Sequence, residues 1–321
     1  MIAVVIPCYR VKHQILGVLS RIGPECEAIY VVDDGCPEGT GDRVEEQCRD
    51  PRAKVLRHDT NRGVGAATVT GYKAALQAGA DVIVKIDGDG QMDPSWISRM
   101  ARPILEGEAD YVKGNRFFDF DGLDAMPRVR FLGNSLLSFA SKLSSGYWNV
   151  FDPTNGFTAI HAAVARRLPF DKLATGYFFE SDLLFRLGIL RAVVREVPMR
   201  AVYENEPSSL VVRRVLIEFA SKHLANTAKR IFYCYYLRSF NIASIEVLVG
   251  LALSIFGSWF GLSQWIEGAR SGVPATSGTV MVAALPLLVG IQLILAFLGY
   301  DLQNVPTDVL HKRLEPTPPP A

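Results

Sequence analysis

Two short acidic clusters each follow a run of apolar, mostly β-branched residues. Tyr30-Val31-Val32 leads into Asp33-Asp34-Gly35, and Val82-Ile83-Val84-Lys85-Ile86 leads into Asp87-Gly88-Asp89-Gly90-Gln91. Carboxylates crowded at the ends of neighbouring strands repel one another, and a bound cation offsets that cost. Oxygen donors of this kind suit Mg²⁺ or Mn²⁺, ions that usually share their coordination shell with substrate phosphates. A lone Asp-x-Asp is also a common acidic turn cap. Its position after a run fit for a buried strand, with a second acid pair after another, favours metal-assisted phosphate chemistry. Asn61-Arg62-Gly63-Val64-Gly65-Ala66-Ala67 opens a helix with small residues. The spacing departs from the dinucleotide fingerprint and the acid that fingerprint requires is missing. The segment therefore reads either as close backbone packing near a ligand or as helix-start geometry.

These residues need a scaffold, and the chain supplies an alternating one. Apolar runs at 3–6, 28–32, 54–57, 82–86 and 111–113 alternate with amphipathic stretches such as 64–78. The pattern predicts an α/β fold, a mainly parallel sheet covered by helices on both faces. Ligands of such sheets bind beyond the carboxyl ends of the strands, where both acid clusters fall. Positive and negative side chains nearly cancel in the 321 residues, to a net +1, which argues against a nucleic-acid partner. The five cysteines show no CxxC spacing, and their odd number argues for a reduced, cytosol-facing domain rather than a disulfide framework. The first apolar run, Ile2 to Pro7, is too short for a secretory signal.

From Val247 the character changes. Val247 to Ile266 and Val280 to Tyr300 carry no charge, and each is long enough to cross a hydrocarbon core of roughly 30 Å. Soluble helices of that length show a polar face, and these do not. The link between them holds one cation, Arg270, whereas Arg213, Arg214, Lys222, Lys229, Arg230 and Arg238 precede the first span and Lys312 and Arg313 follow the second. The positive-inside rule then places both flanks in the cytoplasm. The stretch 208–241 mixes basic residues with Phe219, Phe232, Tyr233, Tyr235 and Tyr236, which suits amphipathic helices in the membrane interface or surface helices of the soluble domain. The expected organisation is a catalytic domain over 1–207, juxtamembrane helices over 208–241, a hairpin of spans over 242–301 and a tail over 302–321. The proline-rich end, with Pro316 and Pro318 to Pro320, reads as disordered.

With these residues in place, the chain resembles family 2 glycosyltransferases of the GT-A fold, a Rossmann-like mixed sheet. Within them it is similar to the polyprenyl-phosphate group that includes dolichol-phosphate mannose synthase and bacterial undecaprenyl-phosphate glucosyltransferases. The resemblance runs over about residues 2 to 240 and rests on segments in family order. They are Val5-Ile6-Pro7-Cys8-Tyr9, Val32-Asp33-Asp34-Gly35, Asn61-Arg62-Gly63-Val64-Gly65 and Asp87-Gly88-Asp89-Gly90-Gln91-Met92-Asp93-Pro94, followed by Gly114-Asn115-Arg116-Phe117, Asp152-Pro153-Thr154-Asn155-Gly156-Phe157, Gly176-Tyr177-Phe178-Phe179-Glu180 and Glu196-Val197-Pro198.

The resemblance implies a nucleotide-sugar pocket lined by Pro7, Tyr9, Asp33, Asp34, Asp87 and Gly88. Asp87, Asp89 and Gln91 would hold Mg²⁺ or Mn²⁺ on the donor diphosphate, with Asp89 the first candidate for a direct ligand. Arg116 and Arg130, with Ser135 beside the latter, would grip the acceptor phosphate, a task suited to the guanidinium fork. Glu180 and Asp182 match the acidic pair near the acceptor, although carboxylates are also favoured at helix N-termini. Implied partners are a GDP- or UDP-linked sugar donor, a polyprenyl phosphate and the membrane, with a homo-oligomer left open. The implied place is a bacterial inner membrane. Arg10-Val11 follows Tyr9 where the family often has Asn-Glu, and Thr158 stands where mannose synthases have Arg. Mannose specificity is therefore not carried over. The expected reaction is a single inverting displacement. A non-lipid acceptor, or a non-catalytic scaffold that binds nucleotide sugars, are the competing expectations. The Gln-x-x-Arg-Trp signature of processive synthases is missing.

Overall fold

The structure is a computed structural model that describes residues 1–118, 128–199 and 212–314. Strands β1 (Ile2–Cys8), β2 (Ala28–Asp33), β3 (Ala53–Arg57), β4 (Val82–Lys85), β5 (Tyr111–Asn115), β6 (Thr158–His161) and β7 (Val194–Pro198) form one seven-stranded sheet in the order β3-β2-β1-β4-β6-β5-β7. β6 runs antiparallel to β4 and β5, and the other pairs are parallel. Helices α1 (Ile15–Leu19), α2 (Thr40–Gln47), α3 (Val64–Gln77), α4 (Ile97–Leu105), α5 (Arg128–Ser145), α6 (Ala162–Ala165) and α7 (Phe179–Leu190) accompany the strands. All five expected strands are present. β6 and β7 are additions: one is four residues long and antiparallel, the other ends in proline, and neither gives a strong alternating signal.

Alternation along the strands gives the sheet two different faces. Val4, Ile6, Val84 and Val112 lie on one, fully buried with Ile15 and Val18 of α1 and Met100 and Ile104 of α4. This is the main apolar core. On the other face Gly71 of α3 packs directly on Val5. There, at the carboxyl edge, the register aligns Val5, Lys85, Thr158, Lys113 and Glu196 in one row across β1, β4, β6, β5 and β7. Burying two lysines in such a row requires partners, and that requirement builds the site described below.

The chain divides into two compact units, Met1–Thr227 with Pro306–Ala321, and Ala228–Val305. The first runs past the expected boundary at 207 and takes in most of α8 (Val212–Ile231). Within this unit Phe178 packs edge-on against Phe219 and His223, and Asn226 donates to Asp182 at 3.3 Å. α8 thus packs one side on the first unit, while Ile217 and Leu224 stay exposed on the other. Residues 208–211 and the proline-rich end lie outside the described residues.

The first unit also includes the segment after the hairpin. Asp110, fully buried, accepts from the backbone of Val193 (2.7 Å), Leu310 and His311 (both 2.8 Å) and pairs with His311 Nδ1. The His311 ring stacks on His161 at 4.0 Å between centroids. Asp110→Ala should strip these N–H groups of their acceptor and release the segment. Trypsin should then cut at Lys312 and Arg313 at least about tenfold faster, as expected when a local opening loses about 1–3 kcal/mol of protection. Unchanged cleavage would show that the segment is held elsewhere.

In the second unit a π-helical turn (Phe232–Arg238) leads to α9 (Ile242–Ser271) and α10 (Ser277–Gln303). Both are long and apolar enough to cross a membrane. They extend beyond the expected spans because caps, not charges, end them. Asn241 and Ser244 form a reciprocal capping box, Gly272 closes α9 at a φ of 69°, and Thr276 caps α10. The two helices meet along small residues: a Cβ at Gly290 would stand 2.6 Å from Ser254 N and 2.7 Å from Gly250 O. Gly290→Leu should therefore destabilise the hairpin by about 1–3 kcal/mol, read in a detergent denaturation midpoint. Gly299→Leu, with no atom within 4 Å of the added Cβ, is the matched control and should be neutral. Near the ends of these helices Arg230 grips Asp301 through two bonds of 2.7 and 2.9 Å, and the Tyr235 hydroxyl donates to the same carboxylate. All three are buried, so removing Asp301 would take a paired carboxylate away from a buried cation.

Candidate active site

Apart from Ser135 on α5, every expected site residue among the described side chains falls along one edge, the carboxyl ends of β1, β2, β4 and β5 and the opening turn of α7. Pro7 is buried beside Val32, and Tyr9 emerges beyond β1, with the Arg10 guanidinium 5.4 Å from its ring centre. Arg10 holds a φ of 58°, a left-handed turn rare for a side-chain residue, which ends β1 sharply.

The Asp33 and Asp34 carboxylates turn inward. Asp33 accepts from the backbone of Cys36 at 2.8 Å and Gly41 at 2.6 Å, fixing the approach to α2. Asp34 accepts from Arg62 N and Gly63 N at 2.9 and 2.8 Å and meets His58 Nδ1 at 2.6 Å. Both acids are buried and shape the wall rather than project from it. A pocket of about 230 Å³ opens beside them, lined by Asp33, Gly35, Cys36, Arg57, His58 and Asp59 among others.

The loop after β4 is held from below. Gly88 is buried, and a Cβ there would stand 2.9 Å from Cys8 Sγ, so the loop rests on the end of β1. Asp87 is 29 % exposed and Asp89 half-buried, with Asp89 Oδ1 accepting from Gln91 N at 3.0 Å. Beneath them Lys85, essentially inaccessible, places its ammonium 2.8 Å from Asp87 Oδ1 and 3.1 Å from Glu180 Oε1. Burial alone would lower the pKa of this lysine. The Asp87 and Glu180 carboxylates outweigh burial and raise it, so it stays charged. Lys113, equally buried, donates to Asn155 O at 2.7 Å and is pushed down to about 8, chiefly by burial. The hydroxyls of Tyr72 and Tyr111 are buried near Thr158 of the same row.

Glu180 and Asp182 open α7 with different surroundings. Glu180 faces Lys85. Asp182 accepts from Ala174 N at 3.0 Å and Arg186 Nε at 3.1 Å besides Asn226, so it anchors the loop before the helix. That loop explains the glycines of the 61–67 segment. Gly63 has a φ of 94° and abuts the Thr175 carbonyl, which accepts from Gly65 N at 2.7 Å; a Cβ on Gly65 would strike Phe179. Both readings open in the sequence hold: Gly63 is the N-cap of α3, and the backbone packs closely against the 174–179 segment.

Arg116 is placed at the edge but committed. Its Nε and Nη2 bond Asp152 at 2.8 and 2.9 Å, and Asp152 is fully buried. Glu196, raised in pKa by burial, accepts from Phe151 N and Asp152 N, both at 2.8 Å, and holds that loop. Ser135 is exposed on α5. Arg130 belongs to the same helix, and its side chain lies outside the described residues. Sequence reasoning gave no role to Lys85, Lys113, Asp152 or Glu196. A lysine inside the apolar run 82–86 was the available signal, since a cation in a buried strand must find an anion.

Among the described residues no group of three or more His, Cys, Asp or Glu side chains is gathered to hold a metal. Asp87, Asp89 and Gln91, the expected ligands, follow one another on the single loop after β4. That fits Mg²⁺ or Mn²⁺ completed by substrate phosphates, because such ions commonly take only one or two protein carboxylates.

Residues 3–168 match the model of glycosyl transferase family 2. The chain belongs to that family. Among its relatives is the UDP-N-acetylglucosamine–dolichyl-phosphate N-acetylglucosaminyltransferase of Methanococcus voltae, 30% identical over 63% of this chain and 86% of that one. The undecaprenyl-phosphate mannosyltransferase of Micrococcus luteus is also 30% identical, over 69% and 93%. The fold is the GT-A arrangement. Glucosyl-3-phosphoglycerate synthase from Mycobacterium tuberculosis, solved with Mn²⁺, UDP-glucose and glycerol 3-phosphate, superposes with a TM-score of 0.53 at 23% identity, over 72% of this chain and 79% of that one.

Proposed function

We propose that this glycosyltransferase moves a sugar from a GDP- or UDP-linked donor to a polyprenyl phosphate, undecaprenyl or dolichyl, at the cytoplasmic face of a bacterial inner membrane. The observation that carries this reading is the Asp87-Gly88-Asp89 loop on one sheet edge with Glu180 and Arg116, in a chain that also bears a hairpin fit to cross a membrane. The names of its relatives support the lipid phosphate as acceptor.

Asp89 and Asp87, with Gln91, would hold the divalent cation. A cation there supplies Lewis acidity that neutralises charge on the departing diphosphate. Pro7, Tyr9 and Gly88 frame the nucleotide, while Asp33 and Asp34 fix the loops around it. The acceptor phosphate is gripped by Arg116, Arg130 and Ser135, with Arg116 held ready by Asp152. A phosphate oxygen forms a bond to the anomeric carbon as the bond from that carbon to the diphosphate breaks, and the anomeric centre inverts. The phosphate is ionised at neutral pH, so no strong base is needed. Glu180 orients the sugar or acceptor, and Asp182 holds the loop that positions Glu180.

The membrane assignment draws on two further features. The segment after α10 docks through Asp110 on the first unit, as expected if both flanks of the hairpin face the same compartment. Leu136 and Phe139 of α5 and Phe151, next to Asp152, are exposed apolar side chains, with Lys142 Nζ 4.5 Å from the Phe151 ring centre, as suits a lipid surface.

The test is a donor screen on purified protein in detergent with Mn²⁺ and a short polyprenyl phosphate, read by mass detection of glycosylated lipid. One donor should yield product, and EDTA should abolish it. Nucleotide release without glycosylated lipid would point to a different acceptor.

A further inference from the structure

We propose that Lys85 is a positioning residue for sugar transfer: its buried ammonium clamps Asp87 of the donor loop to Glu180 at the start of α7, setting the spacing between the cation-holding carboxylates and the acceptor side. The inference rests on the reading above and assigns a role to a residue that reading leaves out.

Three observations carry it. Lys85 ends β4 on the face that α3 covers, and its buried ammonium meets Asp87 at 2.8 Å and Glu180 at 3.1 Å. If the lysine served only to neutralise Glu180, its second partner would be expected in the core. Asp87 instead is 29 % exposed and belongs to the loop proposed to hold the cation. The backbone is cleared for the clamp as well: a Cβ at Gly156 would stand 2.5 Å from Asp87 Oδ2 and 2.7 Å from Lys85 Nζ.

Lys113 makes the contrast. Equally buried, it reaches a backbone carbonyl, Asn155 O, and so braces the 152–157 loop. Lys85 instead joins two side chains that come from different elements and lie 93 positions apart in sequence, Asp87 and Glu180. Both ends of Glu180's own segment are tied down, by Thr175 to the start of α3 and by Asp182 to Ala174. The clamp therefore transmits a fixed frame to Asp87 rather than a mobile one.

Lys85→Met and Lys85→Arg in the full chain test this. Mn²⁺ binding is followed by electron paramagnetic resonance in the presence of UDP, and then of GDP, alongside kcat and the polyprenyl phosphate KM. A carboxylate misplaced by about 1 Å can cost a hundredfold in rate. Lys85→Met is expected to lose kcat on that scale and to weaken Mn²⁺ binding at least about tenfold, with the acceptor KM changed less than about threefold. Lys85→Arg should recover at least about a tenth of the activity, since it restores the cation. If Lys85→Met does not fold, Lys85→Met with Glu180→Gln removes one charge of each sign, and the Mn²⁺ titration is repeated on it with the same expectation. Folded protein with unchanged Mn²⁺ affinity and kcat would overturn the proposal, as would a loss confined to the acceptor KM. Should the wild type glycosylate no polyprenyl phosphate, the lipid reading fails while the Mn²⁺ titration still decides the role of Lys85.

Discussion

Asp89→Asn should lower transfer by at least about a thousandfold, equivalent to roughly 4 kcal/mol of lost transition-state stabilisation. The substitution removes a negative charge and keeps the shape. Asp89 Oδ1 accepts from Gln91 N, and an asparagine oxygen can accept the same bond, so the loop turn survives. The loop is also seated independently, through buried Gly88 on Cys8 and through Lys85 on Asp87. The variant should therefore keep its melting temperature and its place in detergent micelles. What it loses is affinity for the cation and the charge neutralisation that cation brings to the leaving diphosphate. A folded Asp89→Asn protein with near-normal kcat would sink the assignment of this loop to the cation.

Gly156→Ala should cost about a hundredfold in kcat, although alanine adds one methyl group and Gly156 itself offers no side chain to the cation. That methyl would lie 2.5 Å from Asp87 Oδ2, 2.7 Å from Lys85 Nζ and 3.1 Å from Met92 Cε. The backbone cannot retreat easily. Asn155 donates to Gly114 O at 2.8 Å and accepts from Lys113 Nζ at 2.7 Å, and Phe157 is fully buried. The Asp87–Lys85 pair must yield instead, which moves the carboxylate in the donor loop. Overpacking of this type also costs about 1–3 kcal/mol of stability, so a melting curve should accompany the kinetics. Gly17→Ala, where nothing lies within 4 Å of the added Cβ, should leave both untouched. Equal activity of the two variants would mean that the space at Gly156 is not needed for catalysis.

Much of this architecture could be read from residue patterns. Short runs such as 82–86 and 28–32 became buried parallel strands because an α/β sheet covered on both faces needs continuous apolar strands. Their acidic ends fell at the carboxyl edge for the same topological reason. The spans at 247–266 and 280–300 were found inside longer helices, since hydropathy sets the spanning part while caps such as Asn241 and Gly272 set the ends.

What escaped was the direction of side chains. Asp33, Asp34 and Asp182 look in sequence like projecting acids, yet each accepts from loop backbone, Asp33 from Gly41 N, Asp182 from Ala174 N and Asp34 from the more distant Gly63 N. Arg116 looks like a free phosphate grip, yet it meets Asp152 through a fork. These pairings depend on long-range register, which places Lys85, Thr158 and Lys113 side by side although they come from strands separated by many residues. Composition gives no hint of that row. Only the antiparallel insertion of β6 between β4 and β5 creates it.

The most direct test of the central claim follows the phosphorus of the acceptor. Purified protein, Mn²⁺, polyprenyl phosphate and the donor that releases nucleotide are incubated, and the lipid is observed by phosphorus-31 magnetic resonance. The account predicts that the phosphomonoester signal gives way to a phosphodiester signal as nucleoside diphosphate accumulates one for one, and that neither change occurs with Asp89→Asn. A phosphomonoester signal that persists while nucleoside diphosphate accumulates would contradict it, because the sugar would then be leaving the donor for something other than the lipid phosphate.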